Sequence, residues 1–354
     1  MVNEIRVALV GAWNCASSLV QWVEYYKNNP NDHVWLMNRK LGHYDVGDIH
    51  FICAFDINTT KVWKDISEWI FAQPNCAIFI SKVPNLDAPI YRWPTLDGND
   101  WKLKDVVKES SDNVVNISEI LIKNKIDVVV NYLPTWSDKA ARFYAGEALK
   151  ASCWFINCMP TKIATDEALA HNFKKNWIPL IWDDVKSQVW ATILHRVLAK
   201  LCEDRWLKIT STSQVNIGWN TDFLNFIERS VSKEISKKAA LSAIVGNWPK
   251  IHAWLHYNPI LWDQKWAYIY IEWEWFGWVK TTIETKLVVE DSPNSAGILV
   301  DAIRCIKIAQ DNKIWGILTW PSSYLMKNPP VQFNDETALE KIKLFITNPC
   351  NGSD

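Results

Sequence analysis

The sequence predicts an α/β protein: a Rossmann-like doubly wound parallel sheet with an inserted α+β domain. Three observations carry this. Short apolar runs at 5–10, 49–55, 126–131, 154–157 and 178–181 have the length and β-branched content of strands buried on both faces. Stretches with helical spacing separate them, as in a sheet wound in both directions. After about Leu207 the pattern changes to alternation of polar and apolar residues, as in a sheet with one exposed face.

Taken in order, strand 5–10 runs into the turn Gly11-Ala12-Trp13-Asn14 and a helix over 15–27, with Leu19, Val23 and Tyr26 at helical spacing. A polar, irregular stretch reaches Gly47. Strand 49–55 ends at Asp56, and the spacing predicts a helix over 59–71. Strand 126–131 leads through Leu133-Pro134 to a helix over 137–151. Strand 154–157 ends before Met159-Pro160, and strand 178–181 leads to a long helix over 187–202. Residues 208–216 alternate, and 268–289 read as a pair of antiparallel runs. Asp291-Ser292-Pro293-Asn294-Ser295 is expected to cap a helix over 296–311. The expected organisation is a discontinuous dinucleotide-binding domain, 1–207 with 291–347, an inserted domain at 208–290, and a frayed tail at 348–354.

The composition is 49% hydrophobic and 22% charged, with net charge −1. No basic excess suggests nucleic acid. The apolar stretches are of strand length, so no membrane span is expected, and residues 1–6 lack a signal-peptide layout. Eight cysteines form no CxxC pair, and several lie in apolar runs. They read as reduced thiols of a cytoplasmic protein.

A dinucleotide site needs a strand, a tight glycine turn, a helix N-terminus facing the pyrophosphate, and an acid after the second strand for the ribose hydroxyls. Gly11 and Asp56 fall in the right places, although the segment between them exceeds the usual ~20 residues and must loop out an insertion. Trp13 stands where the second glycine belongs. On pattern alone, NAD binding and an α/β domain that merely has a tight turn there stand level. Lys233 and Lys237 share a helical face, either as a solvated charged surface or as two ammonium groups converging on a phosphate or enolate. Asp183-Asp184-Val185-Lys186-Ser187 opens a helix, either capping it or letting Ser187 and the first amides bind an anion. Glu290-Asp291-Ser292 has the same two readings. Lys265 and Lys327 read as isolated surface lysines, and His195 as a packed helix residue.

Together the motifs closely resemble the myo-inositol-phosphate synthases of archaeal and actinobacterial type. The resemblance rests on Asn14-Cys15-Ala16-Ser17-Ser18-Leu19-Val20-Gln21, Ala54-Phe55-Asp56, Pro94-Thr95-Leu96-Asp97-Gly98 and Val130-Asn131-Tyr132-Leu133-Pro134. It continues through Asp183-Asp184-Val185-Lys186-Ser187-Gln188, His195-Arg196-Val197-Leu198-Ala199-Lys200-Leu201 and Asp222-Phe223-Leu224-Asn225. Glu290-Asp291-Ser292-Pro293-Asn294-Ser295-Ala296-Gly297 and Lys327-Asn328-Pro329-Pro330 complete an ordered set spanning nearly the whole chain.

The resemblance implies a cytoplasmic homotetrameric isomerase that converts glucose 6-phosphate to inositol phosphate with tightly held NAD and no net redox change. In that chemistry a hydride leaves C5, the ketone acidifies C6, the enolate attacks the C1 aldehyde, and the hydride returns. By the match, Lys233, Lys237, Lys265 and Lys327 surround the substrate. Lys233 and Lys327 face the developing oxyanions, and Lys237 and Lys265 lie nearer the phosphate and C5 oxygen. Ser187 and Asn220 lie near phosphate or cofactor, and Asp184 and Asp291 near the nicotinamide, where a mono- or divalent cation also fits. Gly11, Asn14, Cys15, Ala16, Asp56, Asn131, Tyr144, Ser187, Asp222 and Lys233 match cofactor positions. The inserted domain would carry catalytic residues and much of the subunit interface. The competing readings are an NAD-dependent sugar-phosphate dehydrogenase, which needs no enolate cage, and a non-catalytic binding protein.

Tryptophan outnumbers glycine, 23 to 11. On the family pattern Trp13, Trp93, Trp136, Trp182, Trp190 and Trp219 fall on glycine positions while their neighbours stay in register. Trp266 reads as a true tryptophan. The expectation is a gene whose UGA codons mean glycine, translated as if UGA meant tryptophan. The competing reading is a genuine tryptophan-rich variant.

Overall fold

The computed structural model describes residues 3–99, 103–218, 250–258 and 261–349, with only the backbone at 250–255 and 257. The chain divides into two compact units, Met1–Lys186 with Ser295–Asp354, and Ser187–Asn294.

The first unit contains β1 (Ile5–Val10), a small hairpin of β2 (Lys40–Leu41) and β3 (Tyr44–Asp45), β4 (Ile49–Asp56), β5 (Ile90–Arg92), β6 (Val128–Asn131), β7 (Trp154–Asn157), β8 (Pro179–Ile181) and, late in the chain, β13 (Gly316–Ile317). Apart from the hairpin, these strands form one sheet in the order β13-β8-β7-β6-β1-β4-β5, with every neighbouring pair parallel. Strand order reverses between β1 and β6, the place where ligands bind in doubly wound sheets. Every residue of β6, β7 and β8 is buried, as expected of strands covered on both faces. One apolar core joins the sheet to helices on both sides, including Leu19 and Val23 of Asn14–Asn28, Ala141 and Tyr144 of Asp138–Lys150, and Leu299 and Ile303 of Asp291–Asp311.

The insertion between the first helix and β4 is held by Arg304, which is wholly buried. Its guanidinium donates to the carbonyls of Asn38 (2.7 Å), Arg39 (2.7 Å) and Tyr44 and pairs with Asp301 at 2.5 Å. A planar fork of donors suits this role, because each buried polar group finds a partner.

Two expected helices that pack on the first sheet differ from the sequence reading. The helix placed at 59–71 reduces to Ile66–Trp69. Asn58 turns the chain by accepting the Thr60 amide (3.0 Å), and Asp65 starts the helix late by accepting the Ser67 amide (2.9 Å). The helix expected to begin at 296 begins at Asp291. The residues read as its cap form its first turn, where Pro293 is tolerated because the amide it lacks has no helical partner. Short elements such as β5, β13 and the helices Ile117–Lys123 and Glu167–Lys175 complete the unit.

The second unit holds β9 (Lys208–Gly218), β10 (Lys250–Tyr257), β11 (Gln264–Glu274) and β12 (Lys280–Glu290) in the order β10-β9-β11-β12. β11 pairs antiparallel with both neighbours, whereas β10 runs parallel to β9. Along β12 exposed and half-buried residues alternate, so one face is wetter than the other. The covered face packs Ala267, Ile269, Ile271 and Trp273 against Ala191, Leu194, Leu198 and Cys202 of the helix Ala191–Asp204. That helix therefore belongs with this sheet, and the second unit starts at Ser187 where the sequence reading placed the division at 208.

Candidate active site

Gly11 follows β1 with φ +86°, and its amide donates to the Phe55 carbonyl at 3.0 Å. A Cβ here would lie 2.8 Å from the Tyr132 carbonyl oxygen, so only glycine fits. The next peptide is gripped from both sides. The Ala12 amide donates to Asp56 Oδ2 at 2.9 Å, and the Ala12 carbonyl accepts from Lys61 Nζ. Asp56 Oδ1 also takes the amides of Ile57 (2.7 Å) and Asn58 (2.8 Å). The acid read as a ribose ligand thus first shapes the turn; a carboxylate oxygen has two lone-pair directions, and Oδ2 keeps one.

Lys61 is a residue that sequence reading missed, since a lone lysine in a polar turn carries no signal. It is fully buried, and burial pushes its ammonium down to about 8 against the pull of Asp56. Besides Ala12 it donates to Asn75 Oδ1 at 3.3 Å and lies 4.7 Å from the centre of the Trp13 ring.

Asn14 begins the first helix and exchanges bonds with Cys76: the Cys76 amide donates to Oδ1 (2.8 Å), and Nδ2 donates to Sγ (3.1 Å). Cys15 is half-buried and Ala16 buried on the same helix. At the carboxyl ends of β6 to β8 a buried polar chain runs from Asn131 to Asn157 (2.8 Å) to Asp183 (2.7 Å). Asp183 was read as a helix cap. Instead it accepts the amides of Ile163 (3.1 Å) and Ala164 (3.2 Å), fixing the loop after β7.

A pocket lies at this edge, lined by Gly11, Trp13, Asp56, Trp93, Asn99 and Ser137 among others. Asn99 Oδ1 and Ser137 Oγ are buried there with no hydrogen-bond partner, as is the Tyr144 hydroxyl, whose ring meets Trp93 at 4.9 Å. The turn, the helix start and Asp56 fit a dinucleotide. The indoles of Trp13 and Trp93 do not, because they stand in the pocket itself.

Beyond β8, Asp184 takes φ +65°. Its carbonyl accepts the Lys327 amide (2.7 Å), and its Oδ1 accepts Lys327 Nζ at 3.0 Å. Two segments distant in sequence therefore meet at one ion pair, and Lys327 is not the isolated surface lysine of the bare sequence reading.

In the second unit, Lys265 pairs with Asp291, both largely buried. Asp263 takes the Ser292 amide (3.1 Å) and hydroxyl (2.8 Å), so it caps the helix that starts at Asp291. Burial and the charge of Asp291 push Asp263 up to about 8, so it holds its proton at neutral pH. Asp263 was absent from the sequence reading; its position two residues before Lys265 was the available signal.

Ser187 is buried, but the helix it was expected to open starts at Ala191. The amides of Gln188 and Val189 bond instead to the carbonyl and side chain of Asn294 (2.9 and 3.0 Å), so Ser187 does not sit in a helical first turn. His195 is buried between Thr212 (2.5 Å) and Gln214 (3.2 Å), the packed role expected of it. Trp219, Asn220, Asp222, Lys233 and Lys237 lie outside the described residues, as do 350–354 of the expected frayed tail.

A parallel sheet with this strand order and a glycine turn after its first strand define a doubly wound, Rossmann-like α/β protein. Residues 191–292 match the profile of the myo-inositol-1-phosphate synthase family. The inositol-3-phosphate synthase of Corynebacterium glutamicum is 44% identical, covering 97% of this chain and 98% of its own. That of Mycolicibacterium smegmatis is also 44% identical over 97% and 98%. A crystal structure of a myo-inositol-1-phosphate synthase-related protein from Thermotoga maritima superposes with a TM-score of 0.81 at 23% identity, covering 97% and 98% of the two chains. The chain belongs to the inositol-3-phosphate synthase family, whose members are isomerases of inositol biosynthesis.

Proposed function

We propose that this chain converts D-glucose 6-phosphate to 1D-myo-inositol 3-phosphate, by oxidation at C5, enolisation at C6, aldol closure onto C1 and reduction at C5. The observation that carries the reading is the pairing of lysines with carboxylates. Lys327 is held by Asp184, and Lys265 by Asp291, although nothing in their local sequence pairs them. An ammonium held by a carboxylate is fixed in direction, and a fixed cation is what a developing oxyanion requires.

Bound NAD supplies a hydride acceptor and then a hydride donor. Gly11, Asn14, Cys15, Ala16, Asp56, Asn131 and Tyr144 would hold it, the Asp56 oxygen with a remaining lone-pair direction meeting a ribose hydroxyl. Lys327 would stabilise the enolate and alkoxide oxygens. Lys265, Lys237, Ser187 and Asn220 would take the phosphate and C5 oxygen, with Lys233 and Asp222 completing the substrate and cofactor contacts. Asp184 and Asp291 would hold the two lysines in position. Among the described residues no group of three or more His, Cys, Asp or Glu side chains converges, so we assign no step to a cation. We also propose a homotetramer using the wetter face of the second sheet, where Tyr268 and Val288 are exposed, and a cytoplasmic location, consistent with the absence of disulfides among the described cysteines.

The test is incubation of a chain carrying Trp13→Gly and Trp93→Gly with glucose 6-phosphate and NAD⁺, following sugar consumed, inositol phosphate formed and absorbance of NADH. Inositol phosphate without net NADH is expected. Accumulating NADH would move the chain to the dehydrogenases, and no turnover with no NAD retained would leave a binding protein.

A further inference from the structure

We infer that the protein made from this gene in its own cell carries glycine, not tryptophan, at positions 35, 63, 136, 177, 206, 262 and 278, through UGA codons read there as glycine. The backbone at these positions points to glycine whatever the protein's activity.

Among the described residues twelve non-glycine positions have left-handed φ, between +49° and +77°, and seven of them are these tryptophans. At 23 tryptophans in 354 residues, chance would place about one among twelve such positions. Indole is among the least suitable side chains there, because a bulky L side chain crowds the neighbouring carbonyl in the left-handed region. Asn, Asp and Gly are the usual occupants.

The local roles agree. Trp177 and Trp206 each stand two residues past a helix, after the caps Asn176 and Arg205, and their amides return to the Lys174 and Glu203 carbonyls at 3.2 and 3.0 Å. This is the helix-terminating position that glycine fills. Trp278 closes a turn between β11 and β12, its amide bonding to the Trp275 carbonyl at 3.0 Å.

Six of the seven indoles are exposed, Trp206 at 91% and Trp278 at 84%. Where their rings meet others, as Trp35 meets Tyr25, Trp63 meets Tyr91 and Trp177 meets Trp315, the indole still stays more than half exposed. Trp266 provides the contrast. It lies within β11, in register with Ile217 and Val288, and its ring sits 4.1 Å from the Lys286 ammonium. That is a true tryptophan environment. The same recoding accounts for Trp13 and Trp93, whose rings occupy the pocket beside the glycine turn. Their case rests on the pocket, since Trp13 has an extended backbone.

Two measurements decide it, neither of them enzymatic. The first is peptide mass spectrometry of the protein purified from its source, together with the codons of the gene. Glycine and UGA are expected at all seven left-handed positions, with tryptophan and UGG at 266. Tryptophan or UGG at the seven would overturn the inference. The second compares two recombinant chains from a standard host, one as written and one with Trp35→Gly, Trp63→Gly, Trp136→Gly, Trp177→Gly, Trp206→Gly, Trp262→Gly and Trp278→Gly together. The glycine chain is expected to unfold several degrees higher, or to fold where the written chain does not. An equal or lower midpoint would show that the indoles are accommodated and would count against the inference.

Discussion

The two sheets of this protein bury their strands in opposite ways. In the first unit β6, β7 and β8 are buried residue by residue, because helices cover both faces of the sheet. In the second unit β12 alternates along its length, because one helix covers one face. The difference governs where chemistry can sit. A sheet buried on both faces has only its strand ends free, and there the first unit gathers Gly11, Asp56, Asn131, Asn157 and Asp183. A sheet with a wetter face offers that face as well, while its charged pair, Lys265 with Asp291, gathers where the strand β11 begins beside a helix start.

The largest expected effect tests whether each unit supplies an essential cation. In a chain with Trp13→Gly and Trp93→Gly, Lys327→Ala is expected to cut inositol phosphate formation by about a thousandfold or more, with NAD still retained on gel filtration. Lys265→Ala should do the same from the other unit. Near-normal turnover in either variant would break the symmetry of the two pairs.

Next in size, Lys61→Met is expected to separate stability from binding. Burial disfavours the lysine's charge, but its removal leaves the Ala12 carbonyl and Asn75 Oδ1 without that donor, so the two effects oppose and the unfolding temperature should move by only a few degrees. With the Ala12 carbonyl released, NAD retention should fall by about tenfold, a cost near that of one hydrogen bond to a charged group. Weaker stability with unchanged NAD retention would make Lys61 a purely structural residue of the first unit.

A third test sharpens the contrast in protonation. Asp263 has its folded pKa raised to about 8, above the ordinary value of an unfolded chain. Its contribution is present below about pH 4 and is lost as the pH rises through about 8. Asp263→Asn should flatten the fall of unfolding temperature between those limits. His195, lowered to about 4 by burial, has the opposite sign. Its contribution is present above about pH 6.5 and is lost as the pH falls toward 4, by roughly 1–3 kcal/mol. His195→Gln should remove that acid-side slope, and a slope unchanged in either variant would place the titration elsewhere.

Most strands of the first unit were legible because an apolar run between turns has few alternatives in an α/β chain. β7 was read at 154–157 and occupies Trp154–Asn157. The strands β5 and β13 were not legible, since β5 ends on Arg92 and β13 is only Gly316-Ile317, whereas β8, also of three residues, lies in the apolar run 178–181. The helix expected at 59–71 was overread because apolar spacing continues through it, while Asn58 and Asp65 bond locally and break it. Gly11, Asp56 and Asn14 were legible as a motif. Lys61, Asp263, Asn99 and Ser137 were not, because a single polar residue gains meaning only from what is folded against it.

By itself the sequence determined the fold class, the glycine turn and the excess of tryptophan, because each is written in local pattern and composition. Tertiary structure alone decided that Lys327 answers Asp184 and Lys265 answers Asp291, that Asp56 first serves the turn, and that seven tryptophans stand on left-handed backbone. Ion pairs and buried hydrogen bonds join residues far apart in the chain, and a backbone angle becomes visible only once the turn that demands it has formed.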